Sequence, residues 1–126
     1  MILELNFSSE VPIFIQIRQE VLRAIATGKL SEGEALPSVR QLASEIGINM
    51  HTVNKAYSSL KADGFIRIDR RKGAVVEEKR KLVTEAYLKV LDTDIENVFI
   101  EAICRGLTEE EMMAICREKY RKIGGR

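Results

Sequence analysis

The 126-residue sequence predicts a mainly α fold with a small β-wing (α+β): a winged helix-turn-helix followed by a C-terminal helical hairpin. Three observations predict it. Leu36 to Val76 carries two short helical apolar stripes separated by a glycine. A strand-like alternation follows at once, folded about a cationic turn. Beyond residue 78, apolar positions recur at long helical spacing. On this division residues 1–77 form the winged domain, and residues 78–126 form an appendage too small to hold a core of its own.

Met1 to Asn6 alternates apolar and polar, as a short strand or an extended arm would, and receives no function. Pro12 to Thr27 reads as a helix with Phe14, Ile17, Val21 and Ile25 on one face; Pro12 suits its first turn, where a missing N–H costs nothing. Its role is to cover the next two helices and complete a three-helix core. Lys29 to Leu36 is a turn-rich connector centred on Gly33. Ser38, with Gln41 three residues on, forms a capping box, and Val39, Leu42, Ala43 and Ile46 make the stripe of the second helix. Gly47 stops that helix. Asn49 caps the third, whose buried stripe is Val53, Ala56, Tyr57 and Leu60. Ala62-Asp63-Gly64 ends it. Phe65, Ile66 and Ile68 resume as a strand, Arg70-Arg71-Lys72-Gly73 turns, and Ala74-Val75-Val76 returns.

The outer face of the third helix is the informative one. At about 100° per residue, His51, Asn54, Lys55 and Ser58 fall opposite the buried stripe. All four can hydrogen-bond and none is acidic, which suits base edges and phosphates in a major groove. Charge follows the same segment. Residues 1–36 hold three basic and five acidic side chains, residues 37–81 ten and five, and residues 82–126 seven and nine. A net charge of +1 thus conceals a basic centre between two acidic flanks, the footprint of a polyanion-binding domain. The N-terminus of the second helix at Ser38 offers free amides to a phosphate. Arg40 projects past the apolar Val39 toward a phosphate or a guanine, Asn54 and His51 are suited to reading bases, and Lys55 supplies charge. At the turn, Arg70, Arg71 and Lys72 suit phosphates or a narrow minor groove.

The stretch LPSVRQLASEIGINMHTVNKAYSSLKADGFI resembles the DNA-binding domain of the GntR family of bacterial transcription regulators. Pro12-Ile13-Phe14-Ile15-Gln16-Ile17 resembles that family's usual approach to its first helix, and the short tail is similar to that of the YtrA subgroup. The resemblance implies a double-stranded DNA operator as partner, Arg40 and Thr52 among the DNA contacts, and no large effector domain. Two departures stand out. Met50 occupies a position where many members carry Arg, which shifts base preference toward thymine methyls or loosens the site. Arg71 replaces the first glycine of the usual Gly-x-Gly wing turn and adds a cation.

In the tail, Lys79-Arg80-Lys81 is a charge run, either a phosphate contact or a solvated helix start. Tyr87, Leu91, Ile95, Val98 and Ala102 then line a helix reaching about Arg105, roughly 37 Å long, with a kink allowed at Asp92-Thr93-Asp94, where Thr93 and Glu96 could cap a new helix. Thr108 and Glu111 form a second capping box, ahead of a stripe at Met113, Cys116, Tyr120 and Ile123. Such a hairpin shows more apolar surface than two helices can hide from water. The expectation is a homodimer through Tyr87, Leu91, Ile95, Val98, Ala102, Met113, Cys116 and Tyr120, with two recognition helices on a two-fold operator. Intramolecular cover of the wing is the alternative.

Cys104 and Cys116 read as buried small hydrophobes, a redox pair being the alternative. His51 is the single histidine, so no metal site is expected, nor any other cofactor. With one His, no nucleotide loop and no paired carboxylates, an enzyme is not expected either. No apolar run of about 18 residues and no signal pattern occur, so the expectation is a soluble cytoplasmic protein without a membrane partner. The reading is a sequence-specific DNA-binding repressor. Its alternative is a winged-helix protein-interaction module. A small-molecule effector, if there is one, would act by biasing the spacing of the two winged domains.

Overall fold

Helices come first in the chain order: α1 (Ile13–Ala26), α2 (Val39–Ile46), α3 (Met50–Ala62), β1 (Ile66–Asp69), β2 (Gly73–Val76), α4 (Glu85–Cys104) and α5 (Glu109–Gly124). This computed structural model describes residues 3–78 and 82–125. The Lys79-Arg80-Lys81 run and the first two residues of the N-terminal segment lie outside the described residues. The chain divides into two units, Met1–Arg80 and Lys81–Arg126.

In the first unit α1 and α2 both pack on α3, and β1 returns against α3. Ile17 and Val21 of α1, Leu42 of α2, Val53 and Leu60 of α3, and Val75 of β2 are fully buried. Each such side chain contributes about 1.5–3 kcal/mol by leaving water. The third-helix stripe is buried throughout, at Val53, Ala56, Tyr57 and Leu60. Phe14 and Ile25 are only partly buried, and Ala24 takes the place expected of Ile25 in the core. Leu3 and Leu5 of the N-terminal segment pack against the same core. That arm is pinned to α1: Asn6 N–H donates to Gln16 Oε1 at 2.8 Å, and Gln16 Nε2 donates to the carbonyls of Asn6 and Val11 at 3.0 and 2.8 Å.

β1 and β2 form an antiparallel hairpin with Ile66 opposite Val76 and Asp69 opposite Gly73. The connector before α2 is more than a turn. Gly33 N–H donates to the Val76 carbonyl at 2.8 Å, Val76 N–H to that of Glu34 at 2.9 Å, and Leu36 N–H to that of Ala74 at 2.8 Å, so it lines the free edge of β2. Leu30 and Leu36 anchor it in the core. Ile68, two residues on from the buried Ile66 and opposite Ala74 in the hairpin, is exposed.

In the second unit, Thr84 caps α4, and its twenty residues span about 30 Å. It is not interrupted. Thr93 Oγ1 donates back to the Lys89 carbonyl at 3.2 Å instead of capping a new helix. Thr108 and Glu111 form the complete capping box that opens α5, with bonds of 3.0 and 3.1 Å in the two directions. No side chain of α4 or α5 is buried. Cys104 and Cys116 are therefore exposed free thiols and not core residues: each lies on a helix that has no fully buried residue.

Candidate nucleic-acid interface

The turn between α2 and α3 is set by Gly47, at φ +78°, a conformation in which any side chain would be strained although nothing stands near its Cβ position. Ser38 caps α2 by accepting the Gln41 N–H at 3.0 Å. The second half of the expected capping box is missing: Gln41 Nε2 donates along the helix to Glu45 Oε1 at 3.2 Å. Asn49 caps α3 as expected, its Oδ1 accepting the His51 N–H at 2.7 Å. The amide nitrogen of Asn49 is a donor that could meet a phosphate, and Oδ1 keeps a second lone pair.

Tyr57 fixes the two helices relative to each other. Its hydroxyl, on the inner face of α3, donates to the Pro37 carbonyl at 2.8 Å, next to the start of α2. Burial pushes the Tyr57 hydroxyl well above its ordinary value, with the Glu45 carboxylate adding to the effect. Ser38 and Arg40 are thereby held at a set place beside α3. Arg40, His51, Asn54, Lys55 and Ser58 are exposed, and Thr52 is half-buried on the flank. Met50, the first residue of α3, is exposed to 45% and stands at the tip of the recognition helix.

The wing tip carries its cations outward. Arg70, Arg71 and Lys72 are exposed. The turn beneath them is built by Asp69, whose Oδ1 accepts the N–H groups of Arg71 and Lys72 at 2.8 and 3.0 Å. Those two bonds, Lys72 first, hold the Asp69 carboxyl below the usual carboxylate range. Gly73 closes the turn at φ +77°. Among the described residues, none of Arg40, Arg70, Arg71 and Lys72 forms a salt bridge, whereas Arg67 on β1 is paired with Asp69 and Glu77. The cations expected to meet DNA are in no salt bridge among the described residues, although the Asp69 carboxylate lies near enough to Lys72 to interact with its charge. Those that hold the fold are paired.

Several partners were not legible in the sequence. Lys55 Nζ stands over the Phe14 ring of α1, 4.1 Å from its centroid. Arg18, also on α1, pairs with Asp63, donates to Ser59 Oγ at 3.1 Å and lies 5.7 Å from the centre of the Phe65 ring. Phe14 and Arg18 are four apart on one helix, as are Lys55 and Ser59 on the other. That spacing was readable; which helix it would meet was not. In the second unit Tyr87, Ile95, Val98, Met113, Cys116 and Tyr120 are exposed, while Leu91 and Ala102 are half-buried. Leu88, Val90, Ile100, Ile103 and Ile115 add further exposed apolar surface outside the predicted stripes. Among the described residues no helix is long and apolar enough to cross a membrane.

Residues 15–76 match the family model described as bacterial regulatory proteins, gntR family. The chain is 30% identical over 124 residues to the HTH-type transcriptional repressor YtrA of Bacillus subtilis (strain 168), covering 98% of this chain and 95% of that one. A crystal structure of a transcriptional antiterminator from Listeria monocytogenes EGD-e is similar with a TM-score of 0.87 and 30% identity, over 100% of this chain and 95% of that one. The crystal structure of the AraR DNA-binding domain in complex with operator ORX1 is similar with a TM-score of 0.53 and 25% identity, over 60% of this chain and 98% of that one.

Proposed function

The chain belongs to the GntR family of bacterial regulatory proteins, and on that premise we propose that it represses transcription as a homodimer on a two-fold symmetric operator. Residues 1–77 act as the DNA-binding domain and residues 78–126 as the dimerisation element. The observation that carries the reading is the pairing of an acid-free outer face on α3 with exposed cations at Arg40 and on the wing that form no salt bridge among the described residues. His51, Asn54 and Ser58 face base edges from α3. Ser38, Asn49, Thr52 and Lys55 meet the backbone, and Arg70, Arg71, Lys72 and Gly73 approach the adjacent minor groove. The operator-bound AraR domain supports DNA as the partner.

Dimerisation is supported by the second unit. A helix with apolar residues over much of its surface is stable in water only when covered, and no residue of α4 is fully buried, Leu91 and Ala102 reaching only half-burial. A second copy would cover the exposed apolar residues of α4 and α5 with one symmetric contact. Repression is supported by the YtrA relative of Bacillus subtilis, a transcriptional repressor that this chain matches over 98% of its length. The protein does this as a non-enzyme in the cytoplasm.

Selection from random duplexes, followed by a salt titration on the recovered sequence, tests the proposal. The expected result is a two-fold symmetric consensus with a steep dependence of log K on log[salt]. Weak binding without a consensus would overturn it and favour a protein-directed winged helix.

A further inference from the structure

We propose that Phe14 is a positioning residue for DNA binding: its ring holds the Lys55 ammonium at the edge of the recognition face, charge intact, where a backbone phosphate meets it. The inference rests on the DNA-binding reading above. Lys55 Nζ lies 4.1 Å from the centre of the Phe14 ring, well within the ~6 Å reach of a cation–π contact. At about 100° per residue, His51, Lys55 and Ser59 step round α3 by about 40° each, from the outer face toward α1. Ser59 already touches α1 through Arg18. Lys55 is therefore the residue at which the recognition face gives way to the α1 flank.

Two cations bridge α1 and α3, and they are held in chemically different ways. Arg18 is paired with the Asp63 carboxylate, so its charge is cancelled locally and it serves as a structural tie. Lys55 is in no salt bridge among the described residues; its partner is an aromatic ring. A ring attracts a cation through its quadrupole but carries no net charge, so the positive charge of Lys55 survives. Nor does the ring use up the three N–H donors as a carboxylate would, and these remain for phosphate oxygens. What Phe14 removes is the conformational freedom of the four-carbon stem, which would otherwise be lost on binding.

The full chain and a selected duplex provide the test, with binding titrated over salt for the wild type, Phe14→Leu, Phe14→Tyr, Lys55→Ala and the Phe14→Leu/Lys55→Ala double variant. Phe14→Leu is expected to weaken binding by at most about two- to fivefold, the most side-chain ordering that one exposed cation–π contact can impose, while Phe14→Tyr, which keeps a ring, binds like the wild type. Lys55→Ala is expected to reduce the salt slope by about one, and in its background Phe14→Leu should cost nothing further. A ring with a purely structural role would lower stability yet leave affinity unchanged, or cost the same with and without Lys55; either result overturns the proposal, as does an unchanged slope in Lys55→Ala. One readout needs no variant. The Cε protons of Lys55 in the free wild type are expected to be shifted upfield by the ring current, and an unshifted signal overturns the proposal even if Phe14→Leu fails to fold. Absence of any duplex binding by the wild type would sink the DNA-binding reading as well. Wild-type binding with a neutral Phe14→Leu sinks only the role of Phe14.

Discussion

Asp69 places a carboxylate at the head of a turn otherwise made of cations, and counting charge alone would make it a defect. Its oxygen instead gathers the N–H groups of Lys72 and Arg71 and so shapes the loop that presents their side chains. The depressed carboxyl value sets the sign of the pH effect. The ionised form supports the turn fully above the ordinary carboxylate value of 3.8, and that support is lost as pH falls through the lower folded value. The two uncharged replacements should therefore differ. Asp69→Asn keeps an acceptor oxygen and is expected to bind DNA at least as tightly as the wild type, whereas Asp69→Ala is expected to bind more weakly although it removes the same charge. Fluorescence anisotropy on one duplex distinguishes them, and equal affinities would mean that the turn does not depend on this side chain. An Asp at the head of Asp-Arg-Arg-Lys-Gly is a readable turn signal. The Lys55–Phe14 contact had no such signal, because it depends on the register between two helices distant in sequence.

Among elements, what was legible was local. Gly47, the Asn49 cap, the Thr108–Glu111 box and the Val53-Ala56-Tyr57-Leu60 stripe each announce themselves within a few residues. What was not legible depends on distant backbone or on competing free energies. The connector's bonds to β2 reach from Gly33 to Val76, and nothing in a glycine- and glutamate-rich segment declares that edge. At Asp92-Thr93-Asp94 weak helix formers cost only a few tenths of a kcal/mol each, less than the backbone hydrogen bonds a break would forfeit, so α4 runs through. The tie between α2 and α3 makes a prediction of its own. Tyr57→Phe leaves the Pro37 carbonyl without its donor and should lower stability by about 1 kcal/mol. The raised value of the Tyr57 hydroxyl means that its contribution is complete below the ordinary value of 10.0 and lost as pH rises above it, because the unfolded chain ionises first. Urea unfolding at about pH 8 and about pH 11 should show a larger alkaline loss of stability in the wild type than in Tyr57→Phe. Equal losses would remove Tyr57 from the account.

For the molecule as a whole, the two units have opposite surfaces. The first buries a complete core and turns a basic, hydrogen-bonding face outward; the second fully buries no side chain among its described residues and exposes Tyr87, Ile95, Val98, Ile103 and Tyr120. The predicted stripes understate this apolar surface, because Leu88, Val90, Ile100 and Ile115 lie off them. Periodicity finds the richest face of a helix, not every face a partner will cover. The proposed division of labour follows: one unit reads DNA, the other brings a second reader to it. The most direct test is a hydroxyl-radical footprint of the full chain on a selected duplex at saturating protein. Two protected segments related by a two-fold axis, with centres about one helical turn (~34–36 Å) apart, are the predicted result. A single protected segment at saturation would contradict the dimer and with it the proposed repressor.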